Sequence, residues 1–377
     1  MRAVEVASMV SVEQTLRNVV WKRRGLRGWA AWLALQPASA LFATGVALRN
    51  AGYRIGVLRV RRAGLPVVSV GNLAVGGTGK TPMTLWLARQ LAAHGKRVAI
   101  LLRGYSGKGR GVTLVSRGNG PEVEVDTAGD EAVMLAKCFA GVVITARRRI
   151  DGVELARQLG CEVVVLDDGF QHRALARDFD LVLINGRGGT LLPAGPMRER
   201  SSALKRADAV AIVRKEEDDA SAPSLPTRAA AKPHFVVRFA ASTLVESDRG
   251  SWRELPLRIL SGRHVAVVSG IADPTSLYAT LRQWEIQIDE IFEFPDHHRY
   301  SQTDWQSLSR ATRDFDWIVT TEKDLVKLEH FPFARGKLVA LRIVPEVDGG
   351  DALVSMIMTR AGLAVSGESA GGVHGDQ

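Results

Sequence analysis

From residue 65 the chain alternates short apolar runs with longer stretches of helical period. The runs "LPVVSV", "RVAILL", "GVVIT", "CEVVVLDD", "FDLVLIN" and "AVAIVRK" are nearly unbroken in Val, Ile and Leu. Such runs predict strands of a parallel sheet covered on both faces, because alternation with polar residues would mark a sheet with one wet face. The intervening stretches near 80–94, 129–139 and 150–159 predict the covering helices, so the region reads as α/β.

A charged segment containing Pro and Ser, "KEEDDASAPSLPT" (215–227), predicts a surface linker. "HFVVRFAASTLVE" then predicts a pair of short bridging strands. "RHVAVVSGIADP", "TSLYATLRQW", "IDEIFEFPDHHRYS" and "FDWIVTTEKDLVKL" repeat the strand, loop and helix order, predicting a second and smaller α/β domain. The expected division is an N-terminal segment 1–64, a core 65–214, a linker with bridging strands 215–256, a smaller domain 257–364 and a disordered tail 365–377, whose "SGESAGGVHGDQ" has no apolar period.

Charge changes the picture at the N-terminus. The formal charge is +10, and residues 1–64 hold eleven Lys or Arg against Glu5 and Glu13, nearly the whole excess. The same region contains the uncharged "GWAAWLALQPASALFATGVAL" (28–48), with Trp29 and Trp32 near its basic start. Its length would span a bilayer, but Pro37 at its centre and basic residues on both flanks oppose spanning. The reading is a helix or helical hairpin lying in the interface of an anionic membrane, with a buried helix as the bland alternative. Charge gathered there, rather than spread with aromatics over a domain face, argues against a nucleic-acid partner. The opening residues lack a secretory leader pattern, which predicts a cytosolic location. Cys138 and Cys161 form no C-x-x-C pair and read as small apolar residues.

"SVGNLAVGGTGKTPMTLWLA" (69–88) carries the most specific chemistry. Ala74, Val75, Gly76, Gly77, Thr78, Gly79, Lys80 and Thr81 fit a permissive P-loop between a strand and a helix. Its backbone N–H groups would cradle phosphates, Lys80 would reach the β and γ groups, and the Thr81 hydroxyl would ligate Mg²⁺. This makes the sheet a P-loop NTPase-type sheet. "VVVLDDGFQH" ends an apolar strand in Asp167 and Asp168, the carboxylates expected at a magnesium shell, although adjacent acids at a strand end also occur as solvated turns.

"TAGDEAVML" puts Asp130 and Glu131 at a helix start, where capping alone would explain them and a base for an alcohol acceptor is the other reading. "FPDHHRY" offers Asp296, His297, His298 and Tyr300 on a loop, without zinc spacing. Arg198 and Glu199 in "LLPAGPMRE", Arg103 in "LLRGYSG" and Arg149 in "ARRRID" are candidates to face anions.

In this order "SVGNLAVGGTGKTP", "RGYSG", "GDE", "VVLDDGFQH", "LLPAGPMRE", "SGIADP", "DHHRYS" and "TTEKD" resemble the tetraacyldisaccharide 4'-kinases, the lipid A 4'-kinases of Gram-negative bacteria, over roughly residues 15–340. The resemblance implies transfer of phosphate from ATP, with Mg²⁺, to the 4'-hydroxyl of a tetraacylated glucosamine disaccharide 1-phosphate, giving lipid IVA. It also implies a peripheral enzyme at the cytosolic face of the inner membrane, with no oligomer required. By the same resemblance Asp130 is the base, paired with His297, and Thr81 and Glu131 join Asp167 and Asp168 as metal ligands. Lys80 and Asp168 act in catalysis, while Arg149, His172, Arg198 and Glu199 line the substrate, with Arg103 added as the anion-facing candidate of "LLRGYSG". Ala74 departs from an expected Ser, and Asp273 from a usual Asn. A membrane-docked P-loop ATPase switch acting on a protein or cargo is the rival reading, weakened by Val75 where an extra lysine is usual in such switches.

Overall fold

The computed structural model describes residues 16–23, 25–104, 107–109, 111–185, 189–214, 231–248, 250–332 and 335–363. The expected linker 215–227 and tail 365–377 lie outside the described residues, as do Tyr105 and Ser106 of "RGYSG".

One sheet of thirteen strands runs through the described residues. In chain order they are β1 (Val67–Asn72), β2 (Val98–Leu102), β3 (Val112–Ser116), β4 (Val142–Ala146), β5 (Val163–Asp167), β6 (Phe179–Ile184), β7 (Ala209–Arg214), β8 (His234–Asp248), β9 (Ser251–Leu255), β10 (Val265–Ser269), β11 (Ile288–Glu293), β12 (Trp317–Thr321) and β13 (Leu338–Val347). Their spatial order is β11-β10-β12-β13-β8-β7-β6-β1-β5-β2-β4-β3, with β9 also on β8. β1, β2 and β5 are buried at every position, as their unbroken apolar runs require. The pairings β3/β4, β8/β9 and β8/β13 are antiparallel and the others parallel.

β8 departs from expectation. "HFVVRFAASTLVE" forms one long strand rather than two short ones, its first part parallel to β7 and its later part antiparallel to β13. No Gly or Pro interrupts it, so nothing in the sequence breaks the extended backbone, and the ladder instead absorbs a register shift opposite Arg342 and Ile343.

The helices that matter here are α1 (Gly25–Ala34), α2 (Gln36–Arg54), α3 (Lys80–Ala93), α4 (Asp130–Cys138), α5 (Arg149–Gln158), α6 (Thr275–Gln283), α7 (Gln302–Ala311), α8 (Glu322–Leu328) and α9 (Gly350–Arg360). α3 and α9 cover one sheet face over a core that includes Met83, Leu87, Leu91, Val68 and Ile357, while Val153 and Ala156 of α5 close the other face with Leu101 and Leu166. Tyr278 and Leu281 of α6 pack over β10 and β13.

The N-terminal apolar stretch forms α1 and α2, bent by 43° at Leu35, with Pro37 in the first turn of α2, where its missing N–H costs nothing. Among the described residues no single helix is long and apolar enough to cross a membrane, though this bent pair passes by length and composition. α2 is held by the Ser39 hydroxyl donating to the Leu191 carbonyl, by Asn50 Nδ2 donating to Glu199, by Arg173 donating to Asn50 and lying over the Tyr53 ring, and by Phe42 and Ala43 packing near Leu191 and Met197. Leu26, Trp29, Leu33, Leu41 and Leu48 are exposed.

Candidate functional site

The glycine loop of residues 73–79 connects β1 to α3, the strand-then-helix setting that the sequence predicts. β1 lies between β5 and β6, and Val70 is in register with Asp167, so the pairing of two apolar strands brings the glycine loop beside the acids at the end of β5. This is the carboxyl end of the parallel strands, where α/β sheets bind ligands. Gly76 and Gly79 have φ of 109° and 78°, a region glycine enters without strain. A Cβ on Gly79 would meet ring atoms of Phe239, from β8, at 2.1–2.8 Å. The loop is braced by Asn72 Nδ2 donating to Thr78 at 2.7 Å, by Val75 N–H donating to Pro196 and by Arg198 N–H donating to Leu73.

The two acids after β5 have different partners. The hydroxyls of Thr81 and Thr84 donate to the two oxygens of Asp167 at 2.9 and 3.1 Å. Burial pushes the Asp167 carboxyl up to about 6, with Glu131 and Asp168 adding to the rise against Lys80 and Thr81. Asp168 accepts from Arg198 at 2.7 and 2.9 Å and lies 3.8 Å from Lys80. Burial would raise Asp168, but these cations hold it below the usual carboxylate range.

A second cluster forms around the start of α4. Asp130 is 3% exposed, and its Oδ2 accepts from His297 Nδ1 at 3.1 Å. Burial opposes its charge, yet His297, Lys323 and Lys327 together hold its carboxyl far below the usual value. Lys327 Nζ lies 3.7 Å from Asp130, and Lys323 Nζ lies 3.6 Å from Glu131, 3.3 Å from Asp296 and 3.2 Å from His297 Nε2. The Asp130 bond raises the His297 imidazole above its usual value, against burial and Lys323. A cleft of about 390 Å³ opens beside Asp130 and His297, rimmed by Arg299, Tyr300 and Lys327.

Asp168 and His297 have φ of 51° and 58°, two of only four non-glycine residues with positive φ among the described residues. Left-handed backbone at such residues costs on the order of 1 kcal/mol, and their partners must hold it.

Arg149 is buried and donates to the Ala146 carbonyl at 2.8 Å, closing the turn between β4 and α5. With Arg103 and Arg177 it surrounds His172, whose imidazole is pushed down to about 4, first by burial and then by these cations. Glu199 is 1% exposed and faces Arg206, which donates to both its oxygens, together with Asn50 of α2. Asn50 ties Glu199 to α2, whereas its neighbour Arg198 reaches Asp168.

Lys323, Lys327 and Phe239 escaped the sequence reading. The two lysines carry a signal in hindsight, since an i,i+4 pair after "TTE" puts both ammonium groups on one helix face. Phe239 has none, because only the pairing of β8 brings it to Gly79.

Residues 31–361 match the family model described as tetraacyldisaccharide-1-P 4'-kinase. A tetraacyldisaccharide 4'-kinase of Anaeromyxobacter dehalogenans is 41% identical over 351 residues, covering 87% of this chain and 89% of that protein. One from Syntrophotalea carbinolica is 40% identical over 309 residues, covering 80% and 85%. The fold matches a crystal structure of Aquifex aeolicus LpxK in complex with ATP at TM-score 0.74 and 33% identity, over 88% of this chain and 99% of that one.

Proposed function

The chain belongs to the tetraacyldisaccharide-1-P 4'-kinase family, and from that premise we propose that it transfers the γ-phosphate of ATP to the 4'-hydroxyl of a tetraacylated glucosamine disaccharide 1-phosphate, giving lipid IVA. The observation that carries this reading is the pairing of Asp130 with His297 beside Lys323, which also reaches Glu131, while Thr81 of the glycine loop donates to Asp167.

Mg²⁺ fits these residues. Thr81, Asp167, Asp168 and Glu131 offer only oxygen donors, and the raised Asp167 marks a site short of positive charge. When bound there Mg²⁺ would neutralise charge on the transferring phosphate.

The chain's own groups do the rest. The N–H groups of residues 74–81 bind the phosphates, and Lys80 reaches the transferred group. Arg198 fixes Asp168 beside that lysine. Asp130 orients the acceptor hydroxyl and takes its proton, with His297 holding the carboxylate in place. Arg103, Arg149 and an uncharged His172 form a basic wall for the anionic acceptor, and Glu199 anchors the loop that carries Arg198. The exposed side chains Leu26, Trp29, Leu33, Leu41 and Leu48 enter the interface of the inner membrane's cytosolic leaflet, where the acceptor resides. The segments 65–214 and 257–364 serve as nucleotide-binding and closing halves of one site.

The test is transfer of labelled γ-phosphate from Mg-ATP to tetraacyldisaccharide 1-phosphate in detergent micelles, with Asp130→Asn run beside the wild type. Labelled lipid from the wild type and a loss of about 10²–10⁴-fold in the variant are expected. A folded wild type that hydrolysed ATP and labelled no lipid would overturn the kinase reading in favour of the cargo switch.

A further inference from the structure

The imidazole of His297 is clamped at both nitrogens. Nδ1 lies 3.1 Å from an Asp130 oxygen, and Nε2 lies 3.2 Å from Lys323 Nζ. A carboxylate only accepts and an ammonium only donates. The Asp130 bond favours a proton on the ring and the ammonium at Nε2 opposes a second one, so the hydrogen sits on Nδ1 and Nε2 presents its lone pair to Lys323. A hydrogen on Nε2 would face an ammonium hydrogen across a hydrogen-bond distance.

Lys323 is itself held on several sides. It lies near Glu131 and Asp296, and only 16% of its side chain is exposed. With carboxylate oxygens at 3.6 and 3.3 Å, the group facing Nε2 is an ammonium. Its helix is fixed at the base. Asp324 is fully buried, accepts from Gly270 N–H at 2.9 Å and from the Thr321 hydroxyl at 2.8 Å, and pairs with Lys327 at 2.7 Å. Glu322, two residues before Asp324, accepts from Arg342 Nε at 2.7 Å. "TTEKD" thus anchors α8 through Thr321, Glu322 and Asp324 and leaves Lys323 directed at the histidine.

We propose that Lys323 is a positioning residue that fixes His297 as the neutral Nδ1–H tautomer, through its contact with Nε2, and thereby holds Asp130 in the orientation that receives the acceptor proton. Asp130 Oδ1 already accepts from the Glu131 N–H at 3.0 Å, so a donor fixed on Oδ2 settles the rotation of the whole carboxylate. The second nitrogen of an imidazole commonly decides what the first one does, and here a cation decides it rather than a carbonyl or carboxylate. The same ammonium touches Glu131, so removal of one side chain loosens the acid–base pair and the magnesium side together. The consequence for turnover rests on the kinase reading, while the tautomer assignment stands apart from it.

The experiment uses the full chain labelled with ¹⁵N-histidine, read by long-range ¹H–¹⁵N spectra at neutral pH, with His297→Gln to assign the signal. The wild type is expected to show His297 with Nδ1 protonated and Nε2 bare. Lys323→Met should lose that signature, through tautomer mixing or protonation, and lower kcat about ten- to a hundredfold with KM for ATP changed less than about twofold. Lys323→Arg, which keeps a cationic donor at the position, should retain the signature and most of kcat. An unchanged His297 signature in folded Lys323→Met would overturn the proposal, as would a loss confined to KM for ATP, which would make Lys323 a nucleotide contact. A wild type with the expected signature that labels no lipid would sink the kinase reading and leave the tautomer assignment standing.

Discussion

Two pairs of adjacent acids meet in this site, Asp167 with Asp168 at the end of β5 and Asp130 with Glu131 at the start of α4. In the first pair the deeper carboxylate, Asp167, receives only hydroxyls and rises to about 6, while its neighbour Asp168 takes Arg198 and Lys80. In the second the deeper carboxylate, Asp130, has His297 and Lys327 and is held far below the usual range, with Lys323 directed at Glu131. Burial acts against charge in both. The difference lies in what faces the buried oxygen: neutral donors leave a carboxylate that welcomes an added cation, whereas cations built into the fold leave one that stays ionised and can accept a hydrogen bond.

Removing the inner acid of the second pair should have the largest effect. Asp130→Asn leaves Lys327, with 8% of its side chain exposed, facing a neutral amide. Breaking a buried pair on one side costs about 3–5 kcal/mol, so urea unfolding at pH 7 should show a drop of that order. Above pH 5 the Asp130 contribution is fully present, because its folded value lies below its unfolded one, and it fades as pH falls through the folded value. Equal stability of wild type and variant at pH 7 would mean that the cations around Asp130 do not pair with it.

Arg198→Gln comes next. It strips Asp168 of its two short hydrogen bonds and leaves Lys80 at 3.8 Å as a remaining cation. A loss in kcat of about 10²–10³-fold is expected, the range for a lost charge-stabilising donor. Full activity at saturating Mg²⁺ would break the contrast, since the ion would then do for Asp168 what Arg198 is argued to do.

The two deep acids should also tilt the pH dependence of stability in opposite senses. Asp167 has a folded value of about 6 against 3.8, so between these the folded state binds more protons than the unfolded one and stability falls as pH rises. In metal-free protein, Asp167→Asn should relieve roughly 1–3 kcal/mol of that fall when pH 4.5 and pH 7.5 are compared. Wild type and variant running parallel across that range would show that Asp167 is not perturbed.

How much of this could be read beforehand follows from what each feature depends on. The P-loop and the acids at the strand end were legible because their chemistry needs adjacent residues in a strand-to-helix setting. The identity of Asp130 as more than a cap came from the resemblance, since Gly129, Asp130 and Glu131 alone suit either role. The length of β8 was lost because a turn was expected between two apolar runs that contain no turn residue. Phe239 depends on which strands become neighbours, and neither period nor composition encodes that, whereas the i,i+4 spacing of Lys323 and Lys327 shows a shared helix face but not what it meets. Glu199 is read as lining the substrate by the resemblance, and its pairing with Arg206 and Asn50 rests on tertiary contacts that the loop's own sequence does not encode.

The smallest effect sharpens the comparison most. Thr84→Val keeps shape and removes the hydroxyl that donates to Asp167 Oδ1, whereas Thr81 donates to Oδ2 from the P-loop itself. Loss of one hydrogen bond to a buried acceptor costs about 1–2 kcal/mol, and the loss is felt chiefly when the carboxylate is ionised. The variant should therefore differ little from wild type at pH 4.5 and most above pH 7 in metal-free protein. Added Mg²⁺ should narrow the gap, because an ion on Asp167 supplies the charge compensation that the hydroxyl gave in part. A gap that stayed constant across pH would assign Thr84 to packing between α3 and β5, and the carboxylate's need for a cation would then have to rest on Thr81 alone.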